Sequence, residues 1–293
     1  LEVTAEGGPN GWARLLGSYA FTVPSGGVRA DLNLTRTDGW RDATAYDRQS
    51  ATVRWDHEFG DGSSLKSVVA WSRIDQQTAG SSRLPEARYR ETPTHNLTPI
   101  SYREVQALRL STEYTREGER TLWSVTPFAR YNTMEILPNW SLSYDPSINE
   151  TTSRSVGLVA RTRREFDVLA ARPVAGIDVD DRPGGYIEHA ITVEQVAGAY
   201  TAYERGPTIY DYDVTFAGVS PYLHLEASPV ERLRLTAGVR YDRLAYDYVN
   251  HLGALGTGPH RRPESRRVVY SAASPKVGAT FALGQATSLF ASY

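Results

Sequence analysis

Residues 217–248 read AGVSPYLHLEASPVERLRLTAGVRYDRLAYDY. In the second half Leu233, Leu235, Ala237, Val239 and Tyr241 alternate with Arg232, Arg234, Thr236, Gly238 and Arg240. In the first half Ala217, Val219, Leu223, Leu225 and Ala227 alternate with Gly218, Ser220, Tyr222, His224 and Glu226. A period of two over this length predicts two strands, each with one apolar and one polar face, joined by a turn at 228–231. A run of about 9–11 alternating residues closed by an aromatic matches one tilted crossing of an outer membrane. A soluble sandwich alternates too, so the decision rests on whether the rest of the chain repeats the unit.

It does. Val28, Ala30, Leu32 and Leu34 oppose Arg29, Asp31, Asn33 and Thr35, and Trp123, Val125, Ala129 and Tyr131 oppose Ser124, Thr126, Arg130 and Asn132. Thirteen strands are expected, at roughly 1–6, 13–23, 28–37, 50–59, 65–75, 104–116, 120–132, 154–165, 170–180, 214–227, 231–248, 267–283 and 287–293. Short turns (PSGG, GDGSS, REGER, the stretch around Asp167, SPVE and GQAT) alternate with long polar loops near 38–49, 76–103, 133–153, 181–213 and 249–266. A soluble sandwich has no reason to collect its long loops at one end; an outer-membrane barrel does. The stretch 189–204, HAITVEQVAGAYTAYE, is expected to be loop with one helical turn at most.

Composition agrees. Eighteen tyrosines and six tryptophans sit in a chain of 293 residues with net charge −2 and a mean hydropathy of −0.43. That suits a barrel whose polar lumen and loops dilute its lipid face, and it gives no bulk attraction to nucleic acid. The absence of cysteine excludes disulfides and thiolate chemistry. No run of 18 apolar residues offers a transmembrane helix, and the opening LEVTAEGG has no signal-peptide pattern. If the protein crosses an inner membrane, its signal is expected upstream or removed.

The segments VSPYLHLEASPVERLRLTAGVRYD (219–242), SPKVGATFALGQATSLFASY (274–293) and DRQSATVRWDHEFGDGSSLKSVVAW (47–71) resemble the TonB-dependent outer-membrane receptors of the siderophore branch. The resemblance implies an all-β fold, an antiparallel transmembrane β-barrel. It implies a bacterial outer-membrane location among lipid and lipopolysaccharide, and a ferric siderophore as transported ligand rather than a cofactor. Its partners would be a plug domain and the TonB energy-coupling complex. The family's barrel has twenty-two strands. About thirteen are expected here, with no plug or coupling box, so the whole chain is expected to be part of a barrel, with free edges at 1–6 and 287–293 or a forced smaller closure.

Because ferric chelates are commonly anionic and carry flat or apolar groups, arginine and aromatic residues of the loops are the candidate ligand-binding set. These are Trp40, Arg41, Tyr46, Arg83, Arg88, Tyr89, Arg90, Trp140, Tyr144, Tyr210, Tyr212 and Arg261. Any one of them could equally belong to an interfacial aromatic girdle or face lipopolysaccharide. Charged residues on the polar strand faces, among them Arg109, Arg130, Asp178 and Arg240, are expected to face the lumen and pair there with a plug or with each other. Asp178, Asp180 and Asp181 are expected to serve local turn chemistry at a strand's loop end rather than bind calcium. The six histidines are scattered without the spacing of a zinc site, and no nucleophile elbow or Ser/His/Asp set stands out. No catalytic residue, metal site or enzymatic activity is therefore expected. The alternatives are a complete smaller barrel of 12 to 14 strands, acting as a passive channel or hydrolase, and a soluble β-sandwich.

Overall fold

A computed structural model describes residues 1–78 and 83–293. They form one antiparallel sheet of thirteen strands in sequence order. The strands are β1 (Glu2–Gly7), β2 (Ala13–Val23), β3 (Gly26–Thr37), β4 (Tyr46–Glu58), β5 (Ser63–Gln77), β6 (Tyr102–Glu117) and β7 (Thr121–Leu137). They continue as β8 (Ser147–Arg164), β9 (Arg172–Val196), β10 (Ala199–Val230), β11 (Leu233–Asn250), β12 (Arg266–Ala282) and β13 (Ser288–Ser292). Among the described residues the sheet does not close: β1 pairs only with β2, and β13 only with β12. One short helix, α1 (Glu86–Glu91), interrupts the β5–β6 connection. No helix of the described residues is long and apolar enough to cross a membrane, which says nothing of a barrel.

The register carries the sequence alternation across the sheet. Directly opposed residues share a face, so the pairs Val53↔Val69, Val69↔Leu110, Leu110↔Ala129 and Ala129↔Val156 run as one apolar row. The row continues through Leu158↔Val179, Val179↔Val219, Leu223↔Val239 and Val239↔Pro275. Val53, Val69, Leu110, Val156, Val219 and Val239 are all exposed. A continuous exposed apolar belt is unfavourable in water and is what a lipid-facing wall requires. The opposite face is charged. Arg29 pairs with Asp31 at 2.9 Å and Arg54 with Asp56 at 2.7 Å. Arg240 holds Asp178 at 2.6 Å and Asp242 at 2.8 Å. These are the lumenal side chains expected from the pattern, satisfied here largely by one another.

Five expectations need correction. The β9–β10 connection is not a long loop over 181–213 but a two-residue turn, Ala197 and Gly198, at the tip of a projecting hairpin. Both turn residues have positive φ (51° and 83°), as in the turn type whose twist matches the flanking strands. Apart from that turn, the stretch 189–204 is therefore strand, not loop or helix. Above the apolar belt both faces of a strand are wet, so alternation fades although the strand continues. The same effect carries β7 to Leu137 and starts β8 at Ser147, shortening the loop expected at 133–153. The turn placed at 228–231 is narrower, since β10 reaches Val230 through an irregularity after Ala227. Asp178, Asp180 and Asp181 do not form a turn cluster; they lie within β9, with Asp178 and Asp180 on the polar face and Asp181 on the other, where it opposes Val156. Residues 79–82 of the loop expected at 76–103 lie outside the described residues.

The buried core lies at the loop end. Leu137, Leu142, Ile148 and Ile191 pack with Ile100, Tyr102, Val193 and Tyr200, joining the ends of β6–β10 to the connections between them. This small core stiffens the end of the sheet that carries the candidate ligand residues.

Candidate ligand-binding vestibule

The connections 38–45 and 138–146 and the short turn at 8–12 converge over the upper ends of β5, β6 and β7. Between them lies a cavity of about 1030 Å³ lined by Trp12, Trp40, Arg41, Gln76, Arg103 and Trp140, among others. Its walls are set by local hydrogen bonds. Thr44 Oγ1 donates to Arg41 O at 2.7 Å and accepts from the Arg41 amide at 3.3 Å, closing a tight turn beneath Trp40. Asn96, almost fully buried, donates through Nδ2 to Asp42 O at 2.9 Å and Ala43 O at 3.2 Å, and the Asp42 amide donates to Thr94 O at 2.9 Å. The β3–β4 loop is thus clamped by the β5–β6 loop.

The chemistry of the cavity is aromatic and cationic. The Arg41 guanidinium lies 5.3 Å from the Trp40 ring centroid, and Arg103 donates to Gln76 Oε1 at 2.7 Å. Trp40 and Trp140 remain 59% and 60% exposed, so their faces are available for stacking rather than consumed by the fold. Planar guanidinium groups beside indole faces suit a ligand that is anionic and flat or apolar.

A second cluster stands on the polar face of the β9–β11 extension. Tyr186 stacks on Tyr212 with ring centroids 5.0 Å apart, and Tyr212 lies 5.3 Å from Tyr248. Tyr210 meets Tyr186 at 6.5 Å and His260 at 5.9 Å. Tyr186 donates to Glu188 Oε2 at 2.6 Å. Burial and then this carboxylate raise the Tyr186 phenol well above the ordinary tyrosine value; burial likewise raises Tyr212. The residues after Tyr241 are where the apolar side chains change face. The β10–β11 register is unbroken from Ala227 to Tyr212, so Leu244, Tyr246 and Tyr248 share the face of Arg240.

The candidate residues therefore separate into groups. Trp40, Arg41 and Trp140 meet in the cavity. Tyr46 opens β4 opposite Thr37 and Gln76, two of the cavity residues. Tyr210 and Tyr212 belong to the tyrosine cluster. Arg83, Arg88, Tyr89 and Arg90 do not converge on either. Arg83 is exposed, Tyr89 is exposed on α1, and Arg90 pairs with Glu86 at 2.5 Å. Arg88 meets His95 Nε2 at 2.9 Å and donates to Ala197 O at 2.9 Å, tying α1 to the hairpin tip. Tyr144 is exposed on its loop. Arg261 is exposed, whereas its neighbour Arg262 donates to Ile209 O at 2.9 Å and holds the β11–β12 loop against β10. Trp12, Arg103, Tyr186 and Tyr248 stand with these candidates in the cavity or the tyrosine cluster but are absent from the candidate set. Trp12 sits in a turn too short to read as a loop and Tyr248 in an expected strand, whereas Arg103 and Tyr186 fall in stretches expected as loop that the structure makes strand. Arg103, Tyr186 and Tyr248 share one signal, an aromatic or arginine in a strand segment beyond the apolar belt.

The chain matches the family model described as TonB dependent receptor-like, beta-barrel, over residues 3–293. Among solved structures it is similar to the unliganded ferric citrate transporter FecA, with 12% identity, a TM-score of 0.74, and coverage of 99% of this chain and 42% of that one. It is also similar to the ferric-catecholate import receptor Fiu of E. coli K12 in its open form (11% identity, TM-score 0.72, 98% and 52% coverage). A third is the copper transporter OprC (14% identity, TM-score 0.67, 99% and 44% coverage). The chain thus spans about half or less of the length of these structures. Comparison with curated proteins gives no match. The family consists of receptors and transporters of the bacterial outer membrane rather than enzymes. A match over nearly the whole chain, on an open antiparallel sheet with an apolar and a charged face, places this protein in the TonB-dependent receptor β-barrel family.

Proposed function

We propose that this chain forms part of the lumen wall and the ligand-facing end of a TonB-dependent outer-membrane receptor that takes up a ferric siderophore. The observation that carries this reading is the cavity in which Trp12, Trp40 and Trp140 stand beside Arg41 and Arg103. It is large enough for a small chelate, and its aromatic faces and guanidinium groups are suited to a flat, anionic one. The tyrosine cluster on β9–β11 adds stacking faces and phenol hydroxyls to the same end of the sheet. A plug filling the lumen and an energy-coupling complex at the inner membrane are partners of this reading, as are outer-membrane lipid and lipopolysaccharide. No catalytic role is assigned, and the charged lumenal face serves as wall rather than as an active site.

The test uses the full-length receptor in a strain lacking other ferric-chelate receptors. Binding and uptake of radiolabelled ferric citrate, a ferric catecholate and a ferric hydroxamate are measured for the wild type, Trp40→Ala and Trp140→Ala. An interface tryptophan contributes roughly 2 kcal/mol or more when it anchors a ligand, so each variant is expected to bind its chelate more than about tenfold more weakly. Wild-type uptake of none of the three, or unchanged affinity in both variants, would contradict the proposal.

A further inference from the structure

The polar face holds another concavity, lower on the sheet, at the height of the apolar belt. A pocket of about 390 Å³ lies between Arg109, Arg130, Asn132, Ser153, Ser155 and Arg182. It adjoins one of about 310 Å³ that shares Arg109 and Arg130 and is bounded by Val68, Ala70 and Phe128. Val68 and Ala70 are apolar residues on the charged face: Ala70 directly opposes Arg109 and Val68 opposes Ser111.

The cationic part is built rather than incidental. Arg130 donates through Nη2 to Ser155 Oγ at 2.9 Å and to Asp180 Oδ2 at 3.0 Å. Arg182 donates to the same Asp180 oxygen at 3.1 Å, and Ser155 Oγ donates to Asp180 Oδ1 at 2.8 Å. The Arg130 guanidinium also lies 4.5 Å from the Phe128 ring centroid. Phe128 can lie there because its cross-strand partner is Gly157; a Cβ on Gly157 would sit 2.3 Å from Phe128 Cζ.

Charge is left over. Arg130 and Arg182 share one carboxylate, Asp180, and the next carboxylate along the same face, Asp178, is held by Arg240. Arg109 has no ion-pair partner among the described residues and stands directly opposite Arg130. Like charges directly opposed across strands are destabilising unless something bridges them. A bidentate oxyanion is the natural bridge between two guanidinium groups.

We propose that Arg109, Arg130 and Arg182 form a carboxylate-binding site in the lumen wall, with the apolar remainder of the bound group resting on Val68, Ala70 and Phe128. The carboxylate comes either from a small amphipathic anion passing through the lumen or from an acidic side chain of the receptor's own lumen-filling segment. The site goes beyond the vestibule reading and does not depend on which chelate the vestibule takes.

Thermal unfolding of the detergent-solubilised full-length receptor distinguishes these sources, with phenylacetate as probe and with Arg109→Gln and Arg109→Lys as variants. A phenylacetate-dependent rise in Tm in the wild type and Arg109→Lys, weakened at least tenfold in concentration dependence in Arg109→Gln, supports a free anion. No response to phenylacetate, but a lower Tm in Arg109→Gln that Arg109→Lys restores, supports an internal carboxylate. If Arg109→Gln leaves Tm unchanged or raises it, and phenylacetate acts equally on all three or on none, the site is overturned.

Discussion

Tyr186 shows how a single residue's environment departs from its sequence. It stands between Gly185 and Ile187 in β9, where Tyr212 covers its ring and Glu188 accepts a hydrogen bond from its hydroxyl. Ionisation would bury a charge beside a carboxylate, so its titration is pushed upward. The folded value lies above the unfolded one; the resulting stabilisation is complete below about pH 10 and declines as pH rises beyond it. A spectrophotometric titration of phenolate absorbance should therefore give the same signal at about pH 11, one unit above the ordinary tyrosine value, for the wild type and Tyr186→Phe. A signal smaller by one tyrosine in the variant would show Tyr186 ionising normally. Residue identity alone told less. Trp40, Arg41 and Trp140 meet in the cavity, while Arg83, Tyr89, Arg90, Tyr144 and Arg261, picked by the same loop criterion, do not. The meeting of Trp40, Arg41 and Trp140 with Trp12 and Arg103 was not legible, because it depends on separate chain segments arriving at one place.

At the level of elements, the apolar belt was legible and the hairpin above it was not. β11 declares itself by Leu235, Ala237 and Val239 against Arg234, Thr236 and Gly238. β9 and β10 lose that signature beyond Asp181, where lipid no longer selects one face. Three register shifts, after Tyr200, Arg205 and Thr208, further scramble the period. The remaining clue was β propensity: Ile187, Ile191, Thr192, Val193, Tyr200 and Tyr203 favour strand even where alternation fails. The hairpin tip is also a fixture of the loop end. The Tyr200 amide donates to Leu97 O at 2.9 Å while Arg88 reaches Ala197 O. Arg88→Ala removes a charged hydrogen bond of about 1.5–3 kcal/mol. Amide exchange at Tyr200 is expected to accelerate by roughly tenfold or more, with exchange at Leu235 and Val239 unchanged. Equal exchange at Tyr200 in both proteins would show that the tip does not lean on α1.

For the whole molecule, alternation determined the fold class and strand count, and family resemblance supplied the expectation of a larger barrel. The open edges at β1 and β13 fit a wall that continues in strands beyond these thirteen. The pairs within a strand, such as Arg240 with Asp242, follow from the period of two, but the pairing of Arg240 with Asp178 could not be read in advance, since it depends on register between strands far apart in sequence. One orientation underlies both the vestibule and the lumen site: apolar face to lipid, charged face to lumen. This chain has no cysteine, so a thiol introduced into it can carry a nitroxide spin label once any cysteines elsewhere in the receptor are replaced. The decisive measurement is the relaxation of labels by lipid-soluble oxygen and by a water-soluble nickel chelate, in the full-length receptor reconstituted in bilayers. Labels at Leu225→Cys, Ala237→Cys and Val277→Cys are expected to be dominated by oxygen, and labels at Thr236→Cys, Ser274→Cys and Thr280→Cys are not. Oxygen accessibility without a period of two, or with the two sets exchanged, would contradict the barrel-wall account.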